Sequence, residues 1–446
     1  MRSLSSFANL DFDNRRDRKP RDSFRDDRRS DRGGFRDDRR STRGGFSRGT
    51  GFSDDRGSGG GGLFARRDNF DRRQDMKPQT LDTIDWSTVE LAPFPKNFYQ
   101  AHPEVANMSK EDVDKFRSDA GIRVFGENPP NPVLDFDNIK FPPVVIQRMK
   151  DSGFTSPTAI QAQGWPIALS GQDMIGVAQT GSGKTLSFLL PSLLHIDAQK
   201  PLAYGDGPIA LVLCPTRELC MQIYDECYKF TNNTGFKIAA VYGGTPNKNR
   251  QIYDLKRGVH MVIATPGRLI DLLSMGATNL KRVTYFVLDE ADRMLDMGFE
   301  PQIKKIHSQI RPDRQTLFWS ATWPIEVQSI ASRFTKNPVK IVVGNGKLTA
   351  NKDVEQIVEI TSRDDRWSRT YDLLKENPRA IIFVNTKRYA DEICFRLSRD
   401  GIRAAAIHGD KEQAQRNRTL AAFKDGSYQV LVATDVAARG IGNLIL

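Results

Sequence analysis

The 446-residue chain carries 66 Lys and Arg against 55 Asp and Glu, a formal charge of +11, and is 38% hydrophobic. That length has room for two or three domains, and the basic excess points to nucleic acid or another anionic surface. No apolar run approaches 18 residues and the N-terminus shows no apolar signal core, so a soluble intracellular protein is the expectation. Cys214, Cys220, Cys227 and Cys394 lie in apolar or helical stretches without close metal-type pairs, which reads as reduced buried thiols.

Residues 1–75 are low-complexity Arg, Asp, Gly, Phe and Ser, with 20 Arg plus Lys against 14 Asp. An 11-residue unit, Phe24 to Gly34, repeats as Phe35 to Gly45 with Thr42 in place of Asp31. So few aliphatic residues cannot offset the entropy of ordering, and a disordered tail is expected. Arg-Gly-Gly-Phe at Arg32 and Arg43 pairs cations with a ring, which suits sequence-tolerant RNA contact, the alternative being a solvated spacer. Residues 76–130 read as an ordered flank, with Ser109 and Asp112 forming a capping box for an amphipathic helix.

Residues 131–343 read as a first α/β domain. The apolar strand Met174–Val177 runs into Ala178-Gln179-Thr180-Gly181-Ser182-Gly183-Lys184-Thr185 and then a helix, the form of a phosphate loop with Ala where Gly usually starts it. Small residues let successive backbone N–H groups face phosphate oxygens. Lys184 adds charge near the β and γ phosphates, and the Thr185 hydroxyl can reach Mg²⁺. The strand 209–213 ends in Pro215-Thr216-Arg217. The strand 238–242 precedes Gly243-Gly244, and 262–264 precedes Thr265-Pro266-Gly267-Arg268. These turns supply N–H groups, hydroxyls and cations suited to a sugar-phosphate backbone.

The run Val283 to Leu288 ends in Asp289, Glu290 and Asp292. A buried strand opening into three carboxylates calls for a cation at its tip, and strand ends form the ligand crevice of open α/β sheets. Phosphate loop and acidic strand end together indicate a nucleoside triphosphate with Mg²⁺. A further strand ends in Ser320-Ala-Thr322, whose hydroxyls can bond those carboxylates or, for Ser320, cap a helix. Residues 344–352 form a linker. A second domain from 353 has strands before Thr386, before His408-Gly409 and through Thr434, with Arg416 on a following helix. His408 lacks a nearby second His or Cys, so a turn residue near RNA is expected rather than a metal ligand.

From Leu91 to Ile441 these motifs resemble the DEAD-box RNA helicases, whose name spells Asp289-Glu-Ala-Asp292. The resemblance implies two tandem RecA-like parallel-sheet domains and ATP-dependent, local unwinding of short RNA duplexes. It identifies Gly153–Gln161 with the adenine-reading motif, including Phe154 and Thr158, where a Gln161 amide offers donor and acceptor to an adenine edge. Phe136 stands where an aromatic packs on the base. Lys184, Asp289, Glu290, Ser320 and Thr322 are then the catalytic group, with Glu290 positioning the attacking water and Thr185 and Asp289 holding Mg²⁺. The turns at Pro215–Arg217, Gly243-Gly244 and Thr265–Arg268, with Thr386, His408, Gly409, Arg416 and Thr434, form the RNA track. The flank resembles the nuclear subgroup linked to splicing, transcription and ribosome assembly, which implies ribonucleoprotein complexes, a monomer and the nucleus, or else the cytoplasm.

After Ile441 the family pattern continues with an Asp, a helix rich in Arg and two more strands, whereas this sequence has Gly442 and stops at Leu446. The expectation is a truncated second domain. The product is then either the helicase or a non-turnover RNA- and ATP-binding isoform that competes with it. An unrelated phosphate-loop ATPase is disfavoured by the adenine motif and the RNA-track turns.

Overall fold

A computed structural model describes residues 81–244, 247–344, 355–362 and 365–434. The expected tail over 1–75, the linker beyond residue 344 and the tail-end residues 435–446 lie outside the described residues.

Eight strands form the first sheet: β1 (Ile122–Phe125), β2 (Met174–Val177), β3 (Ala210–Leu213), β4 (Ile238–Val241), β5 (Met261–Ala264), β6 (Tyr285–Leu288), β7 (Gln315–Ser320) and β8 (Val339–Val343). Their order is β1-β8-β2-β7-β6-β3-β5-β4, with β1 antiparallel to β8 and the other pairs parallel. A second parallel sheet has β9 (Ala380–Val384), β10 (Ala404–Ile407) and β11 (Val430–Thr434) in the order β10-β11-β9.

The sequence dictates this arrangement by its apolar runs. A parallel sheet covered by helices on both faces needs strands that are apolar throughout, and β2, β3, β5 and β6 are buried at every position. Alternate side chains enter opposite layers. Phe286 and Leu288 pack with Val177, Leu211 and Val262, while Tyr285 and Val287 pack with Val212, Ile263 and Leu317. Register then sets the strand ends level. Val177 stands beside Ser320, Leu288 beside Phe318 and Leu213 beside both Leu288 and Ala264. The phosphate loop, the acidic cluster and the polar turns all emerge along one edge.

The expected boundary at residue 131 cuts through this body. β1 lies in the flank yet pairs with β8, Ile122 opposite Val343. Upstream, Trp86 Nε1 donates to Ser308 O (3.0 Å), Phe98 N to Leu169 O (2.6 Å), and Arg311 Nη2 to Ala92 O (2.7 Å) with its guanidinium 4.9 Å over the Phe94 ring. Residues 81–125 are therefore part of the first α/β body.

Candidate nucleotide site and nucleic-acid face

β2 is a central strand, and its loop turns directly into the helix Lys184–Asp197. Gly181 and Gly183 take φ of +81° and +94°, where a side chain would be strained. A Cβ on Gly183 would also lie 2.6 Å from Thr158 Oγ1 and 2.7 Å from Gln161 Nε2. The loop therefore folds around the positive end of a helix, a ready anion site. Buried Lys184 donates through Nζ to Ala178 O (2.7 Å) and Ser182 Oγ to Gln179 O (2.8 Å), so the loop closes on its own carbonyls. Gln179, Thr180 and half-buried Thr185 complete the loop.

The adenine-side residues are engaged within the protein. Gln161 is buried, accepting from Thr158 N (3.0 Å) and donating to Gly183 O (3.1 Å), so its amide is engaged at both ends within the protein. The reason is local: Gln161 is the third residue of the helix Ala159–Leu169 and completes a capping box with Thr158. Phe136 is not a free stacking face. It is 2% exposed, 6.1 Å from the Trp165 ring, in a cluster with Val133 and Phe141. Phe154 is half-buried.

β6 delivers three carboxylates. Asp289, Glu290 and Asp292 are all buried. Asp289 Oδ1 accepts from Glu290 N (3.0 Å). Glu290 has φ 52° and ψ 50°; the other non-glycine residues with positive φ among those described are all Asn. Holding Glu there costs about 1–2 kcal/mol, and such strain persists only where surrounding structure enforces it. Its Oε2 lies 3.4 Å from Arg293 Nε. Asp292 Oδ2 accepts from Thr322 N (3.0 Å) and Thr322 Oγ1 (2.8 Å).

Of the two expected hydroxyls, only Thr322 reaches a carboxylate. Ser320 Oγ donates to Thr322 O (2.8 Å) and caps no helix, since the next one begins at Ile325 behind Pro324. Thr322→Ala should destabilise the protein by about 1 kcal/mol, the net worth of a hydrogen bond to a buried acceptor. An unchanged thermal midpoint would show that this link carries nothing.

Burial pushes the Asp289 carboxyl up, against the pull of Lys184. Burial, then the Asp289 charge, raises Glu290 to about 7, with Arg293 and Lys184 opposing. Two buried carboxyls beside an anion loop fit a cation that arrives with the anion. Among the described residues no cluster of three or more His, Cys, Asp or Glu could hold a metal ion alone.

The polar turns meet along the same edge. Thr216 caps the helix Arg217–Thr231 through Leu219 N (3.3 Å), and Pro215 precedes it. Gly244 (φ +74°) lies so close to the Arg217 guanidinium that any Cβ would overlap it. Arg268 Nη1 donates to Gln251 Oε1 (3.2 Å), whose amide donates to Tyr242 O (3.1 Å) just before Gly243. Thr265 and Pro266 open the helix Pro266–Ser274, which also holds Gly267. Burial, then the charges of Arg416 and Arg268, pushes Arg217 down, so three guanidinium groups share this face.

In the second sheet, Thr386 caps the helix Lys387–Arg399 through Tyr389 N (3.2 Å), and buried Thr434 ends β11. His408 is buried at the turn after β10, where its carbonyl accepts from Lys411 N (3.1 Å) and Nε2 lies 3.0 Å from Asp391 Oδ2; Gly409 follows it. Arg416 Nη1 lies 3.1 Å from Glu218 Oε1. Glu218, Gln251 and Arg293 had no sequence signal of their own, although each neighbours or supports a residue that did.

The DEAD/DEAH box helicase family model matches residues 158–330, and the helicase conserved C-terminal domain matches 365–442. The chain is 51% identical over 391 residues to the ATP-dependent RNA helicase DBP2 of Scheffersomyces stipitis, covering 86% of this chain and 72% of that protein. It is 48% identical over 396 residues to DEAD-box ATP-dependent RNA helicase 20 of Arabidopsis thaliana, covering 88% and 77%. Among solved structures it resembles the yeast DEAD-box splicing factor Prp28, with TM-score 0.53 and 32% identity over 75% of this chain and 79% of that one. Prp28 from Chaetomium thermophilum bound to ADP gives TM-score 0.50 and 36% identity, covering 77% and 83%.

Proposed function

The chain belongs to the DEAD-box family of ATP-dependent RNA helicases, and we propose how its own residues carry out that activity. The supporting observation is the register that sets the acidic end of β6 one strand from Ser320 and two strands from the phosphate loop of β2. ATP phosphates lie on the N–H groups of Gly181 to Thr185, and Lys184 leaves the Ala178 carbonyl to meet them. Thr185 and Asp289 would hold Mg²⁺, which would supply charge neutralisation at the phosphates. Glu290, aimed by its left-handed turn, orients the attacking water and takes its proton.

Asp292 ties this centre to Thr322, and the Thr216, Gly244 and Arg268 turns lie along the same strand ends. RNA lies there by its backbone, which makes binding sequence-tolerant. Gln161 acts on the nucleotide through the loop, because its amide fixes the Gly183 carbonyl. We assign the protein to the nucleus, as a monomer acting in ribonucleoprotein complexes, on the likeness of its flank.

A short RNA duplex should separate with ATP and stay paired with a non-hydrolysable analogue; separation indifferent to the nucleotide would contradict the reading. The Arg-rich residues 1–75 add cations that displace counterions from phosphate. Deleting them should weaken RNA affinity and flatten its salt dependence while leaving turnover at saturating RNA unchanged. An unaltered salt slope would reduce that stretch to a spacer.

A further inference from the structure

We propose that a groove on the free edge of β4 docks an extended, acidic peptide segment of a partner protein. β4 is the terminal strand of the first sheet, paired on one side only, with β5. The groove opens at the start of β4, whereas the phosphate loop and acidic cluster lie at the opposite ends of the strands. Its volume is about 400 Å³. One wall is the C-terminal half of the helix Arg217–Thr231, where the Tyr224 and Tyr228 rings lie 6.3 Å apart and nearly parallel, with Tyr228 50% exposed. The other wall is the helix Lys248–Lys256 and the turn after it, bringing Arg250 and Arg257. Lys237 and Ile238 form the floor.

Charge selects the occupant. Lys237, Arg250 and Arg257 face the groove, and its one carboxylate, Asp254, is already bound by Arg250 Nε (3.1 Å). Among the described residues no carboxylate lies within ion-pair distance of Lys237 or Arg257. The cations are held in place, since Arg257 Nη1 donates to Tyr253 OH (3.2 Å) and both guanidinium groups lie over that ring, at 5.7 and 5.4 Å. At the groove Lys237 has its N–H on His260 Nδ1 (2.9 Å) and its carbonyl on His260 N (2.7 Å), so Ile238, the first residue of β4, is the edge position that a peptide backbone meets. The Tyr253 ring is taken by arginine, while the 50% exposed Tyr228 ring offers an apolar face to the segment's side chains. A peptide alternating Asp or Glu with apolar residues meets the cations on one side and the tyrosines on the other.

The test uses the full chain and a fluorescein-labelled synthetic 12-residue peptide alternating Glu with Val and Phe, read by fluorescence polarisation. Binding should be salt-sensitive and weakened at least tenfold by R250E/R257E, and also by Tyr228→Ala, an exposed change that spares the fold. RNA-stimulated ATP hydrolysis should match the parent protein in both variants, which separates this surface from the helicase site. Absent binding, or binding equal in parent and variants, would overturn the proposal. So would unchanged peptide binding with loss of affinity for single-stranded oligouridine in R250E/R257E, which would make the groove an RNA surface instead.

Discussion

Replacing Glu290 by Gln should reduce ATP turnover by at least 10³-fold, leave ATP binding nearly intact and raise stability. A positioned general base contributes about 10²–10⁴-fold, and here the same group also orients the water. Binding survives because Mg²⁺ is held by Asp289 and Thr185. The gain in stability follows from where Glu290 sits. Folding raises its carboxyl from 4.5 to about 7, chiefly by burial and then by the Asp289 charge.

The folded state thus keeps the proton up to about pH 7, and the unfolded state releases it near 4.5. This contribution to stability is present below about pH 4.5 and is lost as pH rises through 7. Above that pH an ionised Glu290 costs about 3 kcal/mol, which Gln avoids. The variant's thermal midpoint, without nucleotide, should therefore exceed the parent's by more at pH 8 than at pH 5. A gain independent of pH, or normal hydrolysis, would remove Glu290 from the role assigned to it.

Lys184→Ala should lower turnover by about 10²–10³-fold, the usual cost of removing one group aimed at developing charge. Unlike the Glu290 change, it should also weaken ATP binding, because the ammonium meets the ground-state phosphates too. In the nucleotide-free fold it removes one hydrogen bond to the Ala178 carbonyl and the charge that offsets Asp289 and Glu290. Equilibrium binding of a fluorescent ATP analogue separates the two variants. Equal affinity in parent and Lys184→Ala would contradict the placement of the β and γ phosphates.

The contrast between these residues shows what was legible in the chain. The runs that became β2, β6 and β11 announce themselves because a strand covered on both faces must be apolar throughout. The loop at Gly181 to Thr185 is legible for a related reason, since its backbone needs small residues at fixed spacing. β1 was hidden, because Ile122-Arg-Val-Phe125 is a half-exposed edge strand whose partner is more than two hundred residues away. Which way a side chain turns is also tertiary information. Gln161 turns inward because Gly183 leaves room for it, Phe136 because Trp165 and Phe141 surround it, and Ser320 because its hydroxyl bonds the Thr322 carbonyl. The left-handed turn at Glu290 has no propensity signal, as Glu disfavours it.

The central claim is that one strand edge joins ATP chemistry to RNA. Its most direct measurement is steady-state ATP hydrolysis by the purified protein across a titration of single-stranded RNA. The account expects a rate that climbs with RNA to saturation, with RNAs of different sequence reaching the same plateau. A rate that RNA does not change would contradict it.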